Sequence, residues 1–175
     1  RFNRLLRGVV MSATQPILNS IQTHLLSQID RFAIELFPNN PSEYFLRDES
    51  GAILIQYAGS KFERINSTDI IQQRRTVTIA LTVIARSQHN DDGALAILDQ
   101  VRLAIVGFRP ENCLACALIN EEFAGEEDGL WQYQLLVQTE TWQVEQTKTV
   151  DLPKLANVYS RKPTDPLNPI LQPKS

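Results

Sequence analysis

The sequence predicts an α+β domain in αββαββ order: a mainly antiparallel four-stranded sheet with two helices packed on it, plus an extended C-terminal arm. Three patterns carry that expectation. Apolar residues recur at three- and four-residue steps early in the chain. They alternate with threonine at two-residue steps in the middle, and five of the nine prolines crowd into residues 151–175. With 175 residues, 43% apolar and 21% charged, the chain is large enough for one domain with a proper core.

The first helix is expected over residues 14–36. Thr14 can cap it and Pro16 is tolerated in its first turn, where the missing N–H costs nothing. Leu18, Ile21, Leu25, Ile29, Phe32 and Leu36 form one stripe, and Pro38 and Pro41 lie beyond the end. A strand follows at 53–58, with Ile53, Ile55 and Tyr57 on one face. The polar stretch 59–75 then leads to the best strand, 76–86, where Val77, Ile79, Leu81, Val83 and Ala85 alternate with Thr76, Thr78 and Thr82.

The second helix is capped by Asn90 or Asp91 and runs to about Val106, with Gly107 as its stop. Strands at 114–123 and 130–144 complete the sheet, joined by the loop 124–129. In the last strand Trp131, Tyr133, Leu135 and Val137 share a face, but Trp142 and Val144 have the opposite parity, which predicts a bulge or bend near Thr139. The domain proper spans residues 11–150. Met11-Ser12-Ala13-Thr14 reads as a natural start, so residues 1–10 are expected to be an N-terminal extension, non-native or disordered.

The net charge is −3, and −6 without the three arginines of residues 1–10. An acidic body disfavours duplex DNA as a primary ligand, because neutralising phosphates needs clustered Lys and Arg. No apolar run approaches the roughly 20 residues of a membrane-spanning helix. Cys113 and Cys116 are the only cysteines, expected as reduced thiols in a cytoplasmic setting.

Cys113-x-x-Cys116 enters a predicted strand rather than a helix N-terminus, which favours two small core residues over a redox pair. No second Cys or His pair completes a zinc site. His24 and His89 read as surface or loop residues without a nucleophile partner at a recognisable spacing. Glu126-Glu127-Asp128 lacks the spaced ligands of a calcium loop and reads as a solvated hairpin tip. No catalytic residue, cofactor or metal is expected.

Surface features are more informative. The second helix is apolar nearly all round: Leu95, Leu98, Val101, Ile105 and Phe108 form a core face, while Ala96 and Leu103 point to the other side. Such a helix wants cover on both sides, from another subunit or from the proline-rich tail. Residues 59–75 hold Lys61, Arg64, Arg74 and Arg75 against Glu63 and Asp69. They are expected to contact a partner, or to be an exposed loop with a helical turn at 68–73. The arm carries Leu155, Val158 and Tyr159 among its prolines. It is expected to lie on a neighbouring subunit or to fold back over its own second helix.

The run Arg75-Thr76-Val77-Thr78-Ile79-Ala80-Leu81-Thr82-Val83-Ile84-Ala85-Arg86 resembles tail terminator (tail completion) proteins of Mu-like contractile-tailed phages. So do Gly93, Leu98-Asp99-Gln100-Val101-Arg102, Gly107-Phe108-Arg109-Pro110, Gly129-Leu130-Trp131-Gln132-Tyr133 and Thr139-Glu140-Thr141-Trp142. The resemblance covers about residues 17–144. It implies a structural virion protein at the head-proximal end of the tail, assembled in the host cytoplasm. Its homohexameric ring would cap the tail tube, end polymerisation and touch tube, sheath and neck or connector proteins, and DNA would pass through its lumen unread. Alternatives are a neck or head–tail joining protein, or a small ferredoxin-like enzyme or ligand-binding module that uses Cys113 or His24.

Overall fold

In the computed structural model, which describes residues 13–41, 44–46, 50–65 and 71–145 and the backbone of 158–160 and 168–171, Pro16 lies in the first turn of helix α1 (Gln15–Gln28). Thr14 is its N-cap residue, but its side chain makes no capping hydrogen bond. Its dihedrals are helical, and its Oγ1 instead accepts a hydrogen bond from Arg75 Nη2 at 2.7 Å. Ile17, Leu18, Ile21 and Leu25 are buried as the stripe requires.

The helix stops well short of residue 36. Ile29 is extended (φ −130°, ψ 116°), and Ala33–Leu36 forms a strand, β1. Phe32, Ile34 and Leu36 also satisfy a period of two. Ile34, which a helix would have turned away from the stripe, is 4% exposed. Parallel pairing with the next strand decides between the two periods.

Strands β2 (Gly51–Phe62) and β3 (Gln72–Ala85) form a hairpin much longer than expected. Ser60, Lys61 and Phe62 pair with Val77, Thr76 and Arg75 after a bulge between Tyr57 and Gly59. Residues 59–62 and 72–75 of the supposed connection are therefore strand. Of the proposed helical turn, residues 72 and 73 are strand, and 68–70 lie outside the described residues.

Helix α2 (Ala94–Ile105) is N-capped by Gly93, not by Asn90 or Asp91, and no side chain closes the cap. Asn90 contributes its carbonyl, which accepts from Gly93 N–H at 2.8 Å. At the other end Gly107 takes φ +81°, the left-handed stop its sequence position suggests. The core face is Ile97, Leu98, Val101 and Ile105. Leu95, expected there, is 40% exposed.

Strands β4 (Ala117–Glu127) and β5 (Leu130–Val144) meet at a two-residue turn, not a six-residue loop. Asp128 (φ 53°) and Gly129 (φ 77°) both have the positive φ of a type I′ turn, for which Asp-Gly is the favoured pair. β5 runs beside β3 without a register shift, so the bulge expected near Thr139 is absent. Thr139 simply occupies the apolar face at 1% exposure, with its hydroxyl donating to the Leu114 carbonyl at 2.6 Å. The bulges lie in β4 instead, at Ile119 and Ala124.

Among the described residues the sheet thus has five strands, not four, in the order β1-β2-β3-β5-β4, antiparallel except for β1. Both helices pack on one face, over Ile53, Ile55, Val77, Ile79, Leu81, Val83, Leu135 and Val137. On the rear face, Leu54, Thr82 and Ile84 are buried near one end of the sheet. Phe37, Pro38, Pro41, Tyr44, Phe45 and Leu46 line a cleft of about 600 Å³ with them, and the Leu46 carbonyl accepts from Arg86 Nη2.

Residues 146–175 form a separate unit from residues 1–145. Within the arm, Val158–Ser160 (β6) and Asn168–Leu171 (β7) form a two-stranded antiparallel sheet. Tyr159 stands opposite Pro169. Leu155 lies outside the described residues.

Candidate functional site

The most exposed apolar side chain on α2 is Leu103, at 84%, and Val106, at the C-cap just past its end, is 55% exposed. Ala96 is half-buried. β4 lies along the sheet edge, and Leu118 and Phe123 point from it to the helix side, opposite Val137 and Tyr133. Phe123, itself 54% exposed, packs its ring against Tyr133 and Trp131 at centroid distances of 5.2 and 5.9 Å.

An ion network ties the helix to the edge. Arg102 Nη1 donates to both carboxylate oxygens of Glu121 at 2.7 Å, and its Nη2 pairs with Asp99 one turn back. Hydrogen bonding to Glu121, opposed by desolvation and reinforced by the charges of Glu121 and Asp99, holds the guanidinium above its ordinary pKa. The result is a fixed surface whose apolar side chains flank a satisfied charge cluster.

The profile of the Gp37 protein family matches residues 21–161. The chain belongs to the Gp37 protein family. In this Gp37 family member the matched span runs from within α1 to just past β6. No curated protein matches the chain. Among solved structures it is similar to a chain from a structure described as the virion of a native gene transfer agent (GTA) particle. The two share 10% identity over 73% of this chain and 98% of that one, with a TM-score of 0.43.

The basic residues of the Gp37 chain's β2–β3 hairpin do not act as one group. Lys61, Arg64 and Arg74 are exposed. Arg74 lies over the Trp142 ring at 5.6 Å, with Glu140 at 3.6 Å and Glu63 at 3.8 Å. Arg75 is buried at 7% exposure. It donates to Ser60 at 2.9 Å and to Thr14, and lies 5.9 and 6.0 Å from the rings of Tyr57 and Phe62. Hydrogen bonds with Ser60 and then with Arg75 hold the Tyr57 phenol below its ordinary pKa. Arg75 therefore braces the hairpin against the start of α1, and the exposed basic groups are Lys61, Arg64 and Arg74.

Cys113 and Cys116 lie just before β4 rather than within it, and neither forms a disulfide. Desolvation pushes both thiols up, Cys116 to about 12. A nucleophilic or redox cysteine needs the opposite shift. His24 is not a plain surface residue. Its Nε2 donates to the Ala104 carbonyl at 2.8 Å and its ring stacks on Phe108 at 3.8 Å, fastening α1 to the end of α2.

Sequence reasoning picked out Leu103 and Ala96 but missed Val106, Leu118 and Phe123. The signal for the β4 pair was weak, because an edge strand with two bulges breaks the alternation that marks one face.

Proposed function

We propose that the chain is a structural subunit of a phage-type virion, closing into a homohexameric ring that caps the tail tube. The ring ends polymerisation and joins the tail to the neck or head. The observation that carries this reading is the apolar surface shared by α2 and β4, where Leu103, Val106 and Phe123 are all more than half exposed. A surface of this kind suits a second protein, and the resemblance to tail terminators names the assembly that would supply it. Lys61, Arg64 and Arg74 offer contacts to the tube or to the next subunit. Val158 and Tyr159, with Leu155, offer contacts from the arm to a neighbouring copy or neck protein.

Leu103→Glu tests the reading. Burying one leucine is worth about 1.5–3 kcal/mol, and an unpaired buried charge costs more. The variant is expected to melt like wild type as a monomer and to assemble poorly by light scattering. A Leu103→Glu protein that assembles and caps tubes as wild type does would contradict the proposal.

A further inference from the structure

The sheet has two open edges that differ in character. On one side β1 covers β2 only at residues 52–55, and Phe37 N–H donates to the Ile55 carbonyl. Past Ile55, no strand among the described residues pairs with the outer side of β2. On the other side, among the described residues, β4 pairs with β5 alone. We infer that these edges join between copies of this chain: residues 56–62 of one copy add, head to tail, to β4 of the next. The inference rests on the ring reading and specifies its contact.

Three observations favour a second copy as the occupant. The first is direction. β2, β3, β5 and β4 alternate, so β2 and β4 run opposite ways, and a copy rotated about an axis along the strands continues the antiparallel ladder. Parity is the second. Tyr57 and Phe62 stand on the helix side of β2, opposite Ile79 and Arg75, as Leu118 and Phe123 do on β4. On the rear side the matching residues are Lys61, opposite Thr76, and Glu122, opposite Gln134.

The third is charge. β4 carries Glu121, Glu122, Glu126 and Glu127 and no basic residue, whereas the free half of β2 carries Lys61 and no acidic residue, with Glu63, paired to Arg74, and Arg64 just beyond. Glu121 is engaged by Arg102, and Glu122 and Lys61 are both exposed. Two β4 edges would oppose like charges, so the complement is heterologous, the geometry that closes into rings. The bulges at Ile119 and Ala124 bracket a regular run at residues 120–123 and confine the added pairing to it, which works against indiscriminate edge pairing.

Charge exchange tests the pairing. Lys61→Glu and Glu122→Lys, first shown by thermal melting to keep the monomer fold, are run separately and as an equal mixture by sedimentation velocity. Each variant alone is expected to need about tenfold more protein to assemble than wild type, as loss of one close charge pair implies. The mixture should recover, because every junction in an alternating ring again pairs Lys with Glu. Backbone amides of residues 56–62 and 120–123 should also exchange more slowly in the assembled state. Variants that assemble like wild type, or a mixture that stays as weak as its components while wild type forms rings, would overturn the edge pairing and leave the ring reading standing. A wild-type chain that is monomeric at every concentration would remove both.

Discussion

Burial pushes the Cys116 thiol from its ordinary 9.0 up to about 12, and that shift has a definite sign. A thiol kept neutral by the fold stabilises it fully below pH 9. Between pH 9 and 12 the unfolded chain ionises first, and this contribution is lost as pH rises through the folded value. Cys116→Ala is therefore expected to flatten the alkaline decline of stability over that window, measured by urea unfolding at a series of pH values. An unchanged slope would contradict the assignment. The double replacement of Cys113 and Cys116 should leave assembly intact at a modest stability loss. A second residue makes a sharper case. Gly51 begins β2, and a Cβ there would stand 2.5 Å from Ile97 Cδ1 and 2.8 Å from the Ile84 carbonyl oxygen. Because the carbonyl cannot swing away, Gly51→Ala should cost about 1–3 kcal/mol by overpacking. A melting temperature equal to wild type would show that the helix yields.

Single elements were legible where burial and period agreed. β3 could be read almost residue by residue, because Val77, Ile79, Leu81, Val83 and Ala85 are all fully buried under the helices. It was misjudged only at its polar beginning, where Gln72–Arg75 pair with β5 without an apolar alternation to mark them. β1 was lost inside a helix because Phe32 and Leu36 fit both periods, and only its parallel neighbour, remote in sequence, settles which one wins. The β4–β5 turn was legible and overlooked, since Asp128-Gly129 is the favoured two-residue pair for this geometry. Gly129 holds φ +77° with open space around it, so Gly129→Ala meets no clash and acts through the backbone alone. A loss of about 1–2 kcal/mol is expected from the left-handed conformation, read from chemical denaturation. A neutral result would mean that the turn rearranges without penalty.

At the scale of the whole molecule, the α+β class followed from the two helix-and-strand blocks, but the number of strands did not. A four-residue edge strand and a hairpin extended by polar residues leave little mark on an apolar pattern. The candidate surface was half legible. The excess of apolar residues on α2 pointed to Leu103, because a helix apolar on both sides is recognisable from its own sequence. The open edges were not readable, because an edge is defined by which strands fail to meet, a property of topology rather than of any segment. Arg75 shows the same limit from the other direction: its charge suggested a surface role, but its contacts with Thr14 and Ser60 draw it into the fold.

The central claim is that this Gp37 family member ends tail growth and joins the tail to the neck or head, and electron micrographs of particles made without it test that directly. The proposal predicts tails that overrun their normal length and fail to attach to heads, with both defects reversed by supplying the wild-type chain and not by Leu103→Glu. Tails of normal, uniform length joined to filled heads in its absence would contradict it.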